Sequence, residues 1–119
     1  MISGTQVLQS LQAELCEALG DPIRINIVET LGDGRCAVQD IAAATGLAPG
    51  RVSHHLKVLR ERGLVSPTRR GIYIDYQLTD RRLLQVIDLL KLVVHGTQAR
   101  RANVLAQSRP AGGSTESAL

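Results

Sequence analysis

The stretch Pro49-Gly50-Arg51-Val52-Ser53-His54-His55-Leu56-Lys57-Val58-Leu59-Arg60-Glu61-Arg62-Gly63 constrains the fold most, because it holds a helix start, an apolar stripe, a polar face and a stop. Val52, Leu56 and Leu59 recur at helical spacing, while Arg51, Ser53, His54, Lys57 and Arg60 point the other way. Pro49 suits the first helical turn, where its missing amide hydrogen has no partner to lose. Gly63 suits the left-handed residue past a helix end. His55 lies about 100° around the helix from His54, toward Val52 and Leu59, and reads as a semi-buried packing residue. A short helix with a basic, hydrogen-bonding outer face has the shape that enters a DNA major groove.

The flanking residues extend this reading. Val38 to Thr45 reads as another short helix, with Val38, Ile41, Ala42 and Ala44 apolar, closed at Gly46. The link Gly46-Leu47-Ala48 is turn-sized, so the pair reads as a helix-turn-helix whose first helix braces the second across the duplex. Residues 64–68 and 72–78 flank Arg69-Arg70-Gly71, and Ile72, Ile74, Tyr76 and Leu78 alternate with Tyr73, Asp75 and Gln77 at the period of a half-buried strand. Pro67 fits an edge strand. The expectation is a hairpin with a basic tip directly after the reading helix, which is a wing.

Charge is distributed unevenly along the 119 residues, whose net charge is +3. Arg24 and Arg35 stand against Glu14, Glu17, Asp21, Glu29, Asp33 and Asp40 in the first part. The segment 51–82 carries Arg51, Lys57, Arg60, Arg62, Arg69, Arg70, Arg81 and Arg82 against Glu61, Asp75 and Asp80. Basic side chains that neutralise phosphates release counterions, so the expected partner is double-stranded DNA, bound more weakly as salt rises. The aromatic residues are Tyr73 and Tyr76, and a core of Leu, Ile, Val and Ala suits a mostly helical domain. No apolar run approaches the ~20 residues of a membrane span, and the start shows no secretory pattern, so a cytoplasmic location is expected. No Gly-rich phosphate loop, nucleophile elbow or patterned carboxylate pair points to an enzyme.

A first helix is expected from about Val7 to Leu19, with Leu8, Leu11, Leu15, Ala18 and Leu19 on one side. A second is capped by Asp21-Pro22 and stops in Gly32-Asp33-Gly34. A last helix starts at Thr79 or Asp80 and runs to about His95, apolar over more than one face. That surplus needs a partner, most simply a second copy. The expected fold is mainly α with a small β-hairpin: a winged helix-turn-helix of four helices, two strands and a last helix, assembled as a homodimer. Residues 1–106 form the DNA-binding and dimerisation domain, and 107–119, rich in Ser, Pro, Gly and Thr, a disordered tail.

Ala18-Leu19-Gly20-Asp21-Pro22-Ile23-Arg24, Val52-Ser53-His54-His55-Leu56-Lys57-Val58-Leu59-Arg60 and Gly63-Leu64-Val65 resemble the ArsR/SmtB family of winged-helix repressors over roughly residues 10–98. The resemblance implies a homodimeric bacterial repressor that binds an inverted-repeat operator and releases it when an inducer binds, often a metal ion or metalloid. The expected DNA contacts are Arg51, Ser53, His54 and Lys57 on the helix and Arg69 and Arg70 on the wing. Ala48-Pro49-Gly50 departs from the more polar helix start common in the family, which leaves backbone amides for a phosphate.

The family's ligand positions are mostly changed. Cys36 is followed by Ala37, Val38 and Gln39, so the Cys-x-Cys of many arsenic sensors is missing. Asp80 matches the zinc-type site on the last helix, but Arg82, Val93 and Gly96 take its other ligand positions. A cadmium/lead pattern on the reading helix would fall at Val58 and Arg62, and a terminal Cys pair at Val93-Val94. His95 reads as a helix-end cation beside free carbonyls. The two thiols, Cys16 and Cys36, therefore leave two readings open: incidental side chains, or the site of a thiophilic metal, metalloid or oxidant as effector. A metal-free regulator with a small organic inducer or none, and a winged helix used for protein interaction, are the rivals; the basic 51–82 segment weighs against the last.

Overall fold

The structure, a computed structural model, describes residues 3–108. Helix α1 (Gly4–Ala18) opens with a capping box: Ser3 Oγ accepts the Gln6 amide at 3.1 Å, and Gln6 Oε1 accepts the Ser3 amide at 3.0 Å. It starts before the expected Val7 because Gly4-Thr5-Gln6 carry no apolar residue for a periodicity to register. Helix α2 (Pro22–Thr30) is capped by Asp21, whose carboxylate accepts the Ile23 and Arg24 amides at 2.7 and 3.3 Å, and it tightens into a 3-10 turn, Leu31–Asp33.

Strand β1 (Cys36–Ala37) leads into α3 (Val38–Thr45), which closes on Gly46 at φ 75°, the left-handed position that a side chain would strain. Helix α4 (Pro49–Glu61) ends in a Schellman motif: the Leu64 amide bonds the Leu59 carbonyl and the Gly63 amide bonds that of Arg60, both at 2.9 Å, with Gly63 at φ 76°. Strands β2 (Val65–Arg70) and β3 (Tyr73–Leu78) form the hairpin, and α5 (Arg82–Ser108) follows. The antiparallel sheet runs β1-β3-β2, so Pro67 does sit on an edge strand.

The core joins Ile27, Val28 and Leu31 to Ile41 of α3 and to Val52, Leu56 and Leu59 of α4, all fully buried. Each such side chain contributes roughly 1.5–3 kcal/mol on leaving water. Burial of this one stripe fixes which face of α4 remains outside.

Three expectations change. The hairpin gains a third strand, β1, too short to carry a readable period; it pairs Cys36 with Tyr76 and Ala37 with Asp75. The burial of β3 differs from simple alternation: Asp75 is 5% exposed, whereas Ile72 is 90% and Ile74 44% exposed. The cause is length, since β1 covers β3 only at Asp75 and Tyr76 and the hairpin projects past it. The last helix continues past His95 to Ser108, because Ala, Gln and Arg in 97–106 outweigh the helix cost of Gly96. Residues 107 and 108 belong to that helix, and the rest of the expected tail lies outside the described residues.

The compact unit holding these elements ends at Gln85. The start of α5 is fastened inside it: Leu84 packs on Gly32, and Arg81 Nη2 donates to the Gly32 carbonyl at 2.7 Å. From Val86 onward α5 forms a second unit, a helix that exposes Leu89, Leu92, Val93, Val104 and Leu105.

Candidate nucleic-acid interface

Helix α4 buries Val52, His55, Leu56 and Leu59 and exposes Arg51, Ser53, His54, Lys57 and Arg60, as the spacing predicts. Among the described residues the side chains of Arg51, Ser53 and Lys57 hold no hydrogen bond or ion pair, so their donors face outward uncommitted. No side chain caps the start of α4. The Arg51 amide turns back to the Ala48 carbonyl at 3.0 Å and is not left for a phosphate, while the Val52 amide makes the ordinary first intrahelical bond to the same carbonyl at 3.2 Å.

The wing lies close to this face. Its turn is Gly71-Ile72, with Gly71 at φ 62°, the first central position of a hairpin turn where glycine is favoured. Ile72, Tyr73 and Ile74 at the tip share a cleft of about 270 Å³ with Ser53 and Pro49 of α4 and with Ala37, Val38 and Gln39. The two expected wing cations are placed differently from the sequence picture, since both lie within β2 rather than in the turn: Arg69 faces Ile74 and Arg70 faces Tyr73. Arg69 is exposed with no partner among the described residues. Arg70 forks onto the buried Asp75, Nε and Nη2 donating at 2.7 and 3.2 Å, and its guanidinium lies 5.3 Å from the Tyr73 ring centre. Arg70's hydrogen bonds hold the Asp75 carboxyl below the usual range against the opposing effect of burial, with the charges of Arg70 and Arg35 adding to them.

Behind α4 stands a group that sequence reasoning missed. Arg24 Nε donates to the Ala18 carbonyl at 2.6 Å and Nη2 to that of Glu17 at 3.3 Å, satisfying the end of α1. Its Nη1 lies 3.4 Å from His55 Nδ1 and 3.9 Å from Asp21 Oδ2. The arginine of the Asp21-Pro22-Ile23-Arg24 motif was the available signal, but nothing local says where a guanidinium will reach. Burial pushes the His55 imidazole down; Asp21 opposes this, and Arg24, His54 and Arg51 reinforce it.

The thiols lie on separate elements: Cys16 is exposed on α1, and Cys36 is half-buried in β1. Burial, then the carboxylates of Asp40, Asp75 and Asp33, push the Cys36 thiol up, toward its protonated form. Among the described residues of one chain, no three His, Cys, Asp or Glu side chains gather as metal ligands do. Asp80 caps α5 by accepting the Arg82 amide at 2.9 Å and is gripped by the Arg82 guanidinium at 2.7 Å. Those hydrogen bonds draw its carboxyl to about 2, so the one matching zinc-type position is spent on an ion pair. No helix among the described residues is long and apolar enough to cross a membrane.

A helix-turn-helix presenting a basic face, followed at once by a hairpin on the same cleft, is the architecture of a winged-helix DNA-binding domain. Residues 21–67 match the family described as bacterial regulatory protein, arsR family. The chain is 39% identical over 89 residues to the HTH-type transcriptional regulator CmtR of Mycobacterium bovis, covering 75% of each chain. It superposes on the homodimeric winged helix-turn-helix DNA-binding domain of a possible ArsR-family regulator from Mycobacterium bovis with TM-score 0.73 and 26% identity, covering 84% of this chain and 93% of that one. On the AntR antimony-specific transcriptional repressor the TM-score is 0.65 with 25% identity, covering 83% and 88%. The chain belongs to the arsR family of bacterial regulatory proteins.

Proposed function

We propose that this protein is a homodimeric cytoplasmic repressor that reads an inverted-repeat operator with α4, the base contacts falling to Ser53, His54 and Arg51 and the phosphate contacts to Lys57, Arg69 and the outward part of Arg70. The observation that carries the reading is the uncommitted basic face of α4 beside the wing. Val7, Leu8 and Leu11 of α1 and Leu89, Leu92 and Val93 of α5 are apolar and exposed, which favours a second copy as the partner, as in the homodimeric relative. Two related α4 helices would then meet half-sites about one DNA turn, roughly 34 Å, apart. The effector is a thiophilic metal or metalloid received at Cys16, Cys36 or both; the exposed thiol on α1 and the likeness to an antimony-specific repressor support it.

The test is a gel-shift on the DNA upstream of the gene at several salt concentrations, with light scattering of the free protein. Salt-sensitive, sequence-selective binding by a dimer is the expected result. Binding that ignores salt and sequence, or undiminished specific binding by a monomer, overturns it.

A further inference from the structure

We infer that the wing enters the minor groove with an apolar tip, Ile72, and thereby selects the sequence flanking each half-site; the inference rests on the DNA-binding reading above. Hairpin turns usually expose polar residues or glycine. Here the second turn residue is isoleucine at 90% exposure, with Tyr73 and Ile74 also open beside it. Among the described residues of the unit that ends at Gln85, nothing covers Ile72.

The surroundings name the occupant. Ile72 shares one cleft with Ser53 and Pro49, so a duplex laid along the outer face of α4 passes the tip. Arg69, opposite Ile74 and without a partner among the described residues, sets a cation next to it, which suits a polyanion and disfavours a purely apolar protein surface. Arg70, the other cation, is held on Asp75 and lies over Tyr73, so it stiffens the hairpin end instead of leading it into the groove. A rigid hairpin with an apolar point and one flanking cation can pack on the sugar walls of the minor groove and lean on a base step. Such contact favours steps that open easily, pyrimidine–purine steps above all, at positions where no hydrogen bond reads a base.

The experiment uses the full chain and a duplex that the unaltered protein selects from random sequence. The variants are Ile72→Ser and, as a charge control, Arg69→Gln. Ile72→Ser is expected to weaken binding to the selected duplex by about fivefold or more, the weak end of a base-directed contact. It should also erase the preference between that duplex and one whose flanking step is changed to a stiff one, and leave the salt slope unaltered. Arg69→Gln should lower the salt slope by about two units for the dimer, roughly one per wing, and keep the flank preference. Fluorescence of 2-aminopurine at the flanking step, rising with the parent protein and not with Ile72→Ser, reports the contact directly. Thermal melting by circular dichroism, unchanged in Ile72→Ser, shows that the hairpin still folds. Equal affinity and an unchanged flank preference in Ile72→Ser overturn the inference while leaving the regulator reading intact; a parent protein that selects no duplex at all overturns that reading instead. Self-association of free protein that Ile72→Ser abolishes, with DNA binding untouched, makes the tip a protein contact and also overturns it.

Discussion

Arg24 Nη1 lies 3.4 Å from Nδ1 of His55, across 31 residues of sequence. A guanidinium can only donate, so a hydrogen bond here requires Nδ1 to accept, which is the role it has in the neutral imidazole with its proton on Nε2. The same guanidinium holds the last carbonyls of α1 and stands beside Asp21 at the cap of α2. One side chain therefore ties the first helix, the second helix and the back of the reading helix together.

Acid should loosen this tie. Burial lowers the folded-state value of His55 below its ordinary 6.5, so the unfolded chain binds the proton more readily. The contribution to stability is then complete above pH 6.5 and declines as pH falls below it. Urea unfolding should give a midpoint that drops from about pH 7 to about pH 5.5, and less steeply in His55→Gln. Equal slopes in the two proteins would show that His55 is protonated without penalty. Asp21, whose backbone hydrogen bonds hold it below 3.8 despite partial burial, acts in a lower window, its contribution being lost only as pH falls through that range.

Removing Arg24 should cost more than its charge. Arg24→Ala leaves the Ala18 and Glu17 carbonyls without their donor, for about 1–3 kcal/mol in chemical denaturation. Arg24→Lys should recover only part, because one ammonium cannot span the acceptors that the fork reaches. Full recovery by lysine would reduce the role of Arg24 to simple charge.

The face of α4 should separate base reading from charge. Ser53→Ala with His54→Ala is expected to lose about 1–3 kcal/mol of discrimination between operator and random DNA for each base contact removed. Lys57→Gln should weaken both kinds of DNA alike and flatten the salt dependence. Competition binding measures both, and the opposite pattern would exchange the assigned roles.

The wing arginines should differ in kind. Arg70→Gln strips a buried carboxylate of its fork, so it should lower the melting temperature clearly more than Arg69→Gln does. The Asp75–Arg70 contribution is present above the ordinary 3.8 of the carboxyl and is lost as pH falls through the lowered folded value, so the gap between the two variants should close in strong acid. Equal melting of the two variants at neutral pH would mean the fork carries no stability.

If an effector acts on side chains of this chain, Cys16→Ser with Cys36→Ser should abolish its release of DNA. A gel-shift with arsenite, antimonite, cadmium, copper(I) and peroxide checks this. Unchanged release by an effector that works on the parent rules the thiols out and favours a small organic inducer.

Features that depend on neighbours along the chain were readable from the residues alone. Asp21-Pro22, Gly46 and Gly63 place helix ends through backbone bonds within a turn or two, and Val52, Leu56 and Leu59 decide which side of α4 stays wet. The site face of α4 was legible for that reason. Features that depend on distant segments meeting emerged with the packed fold. A strand as short as Cys36–Ala37 has no period to read, and it exists because β3 offers it an edge. Alternation placed Asp75 outside and Ile72 inside, but Asp75 lies where β1 pairs with β3 and is buried, the hairpin carries Ile72 beyond that cover, and the buried carboxylate then claims Arg70. Arg24 and His55 meet because α2 and α4 pack on one core, and a side chain's partners at such separation are set by that packing and not by the residues beside it.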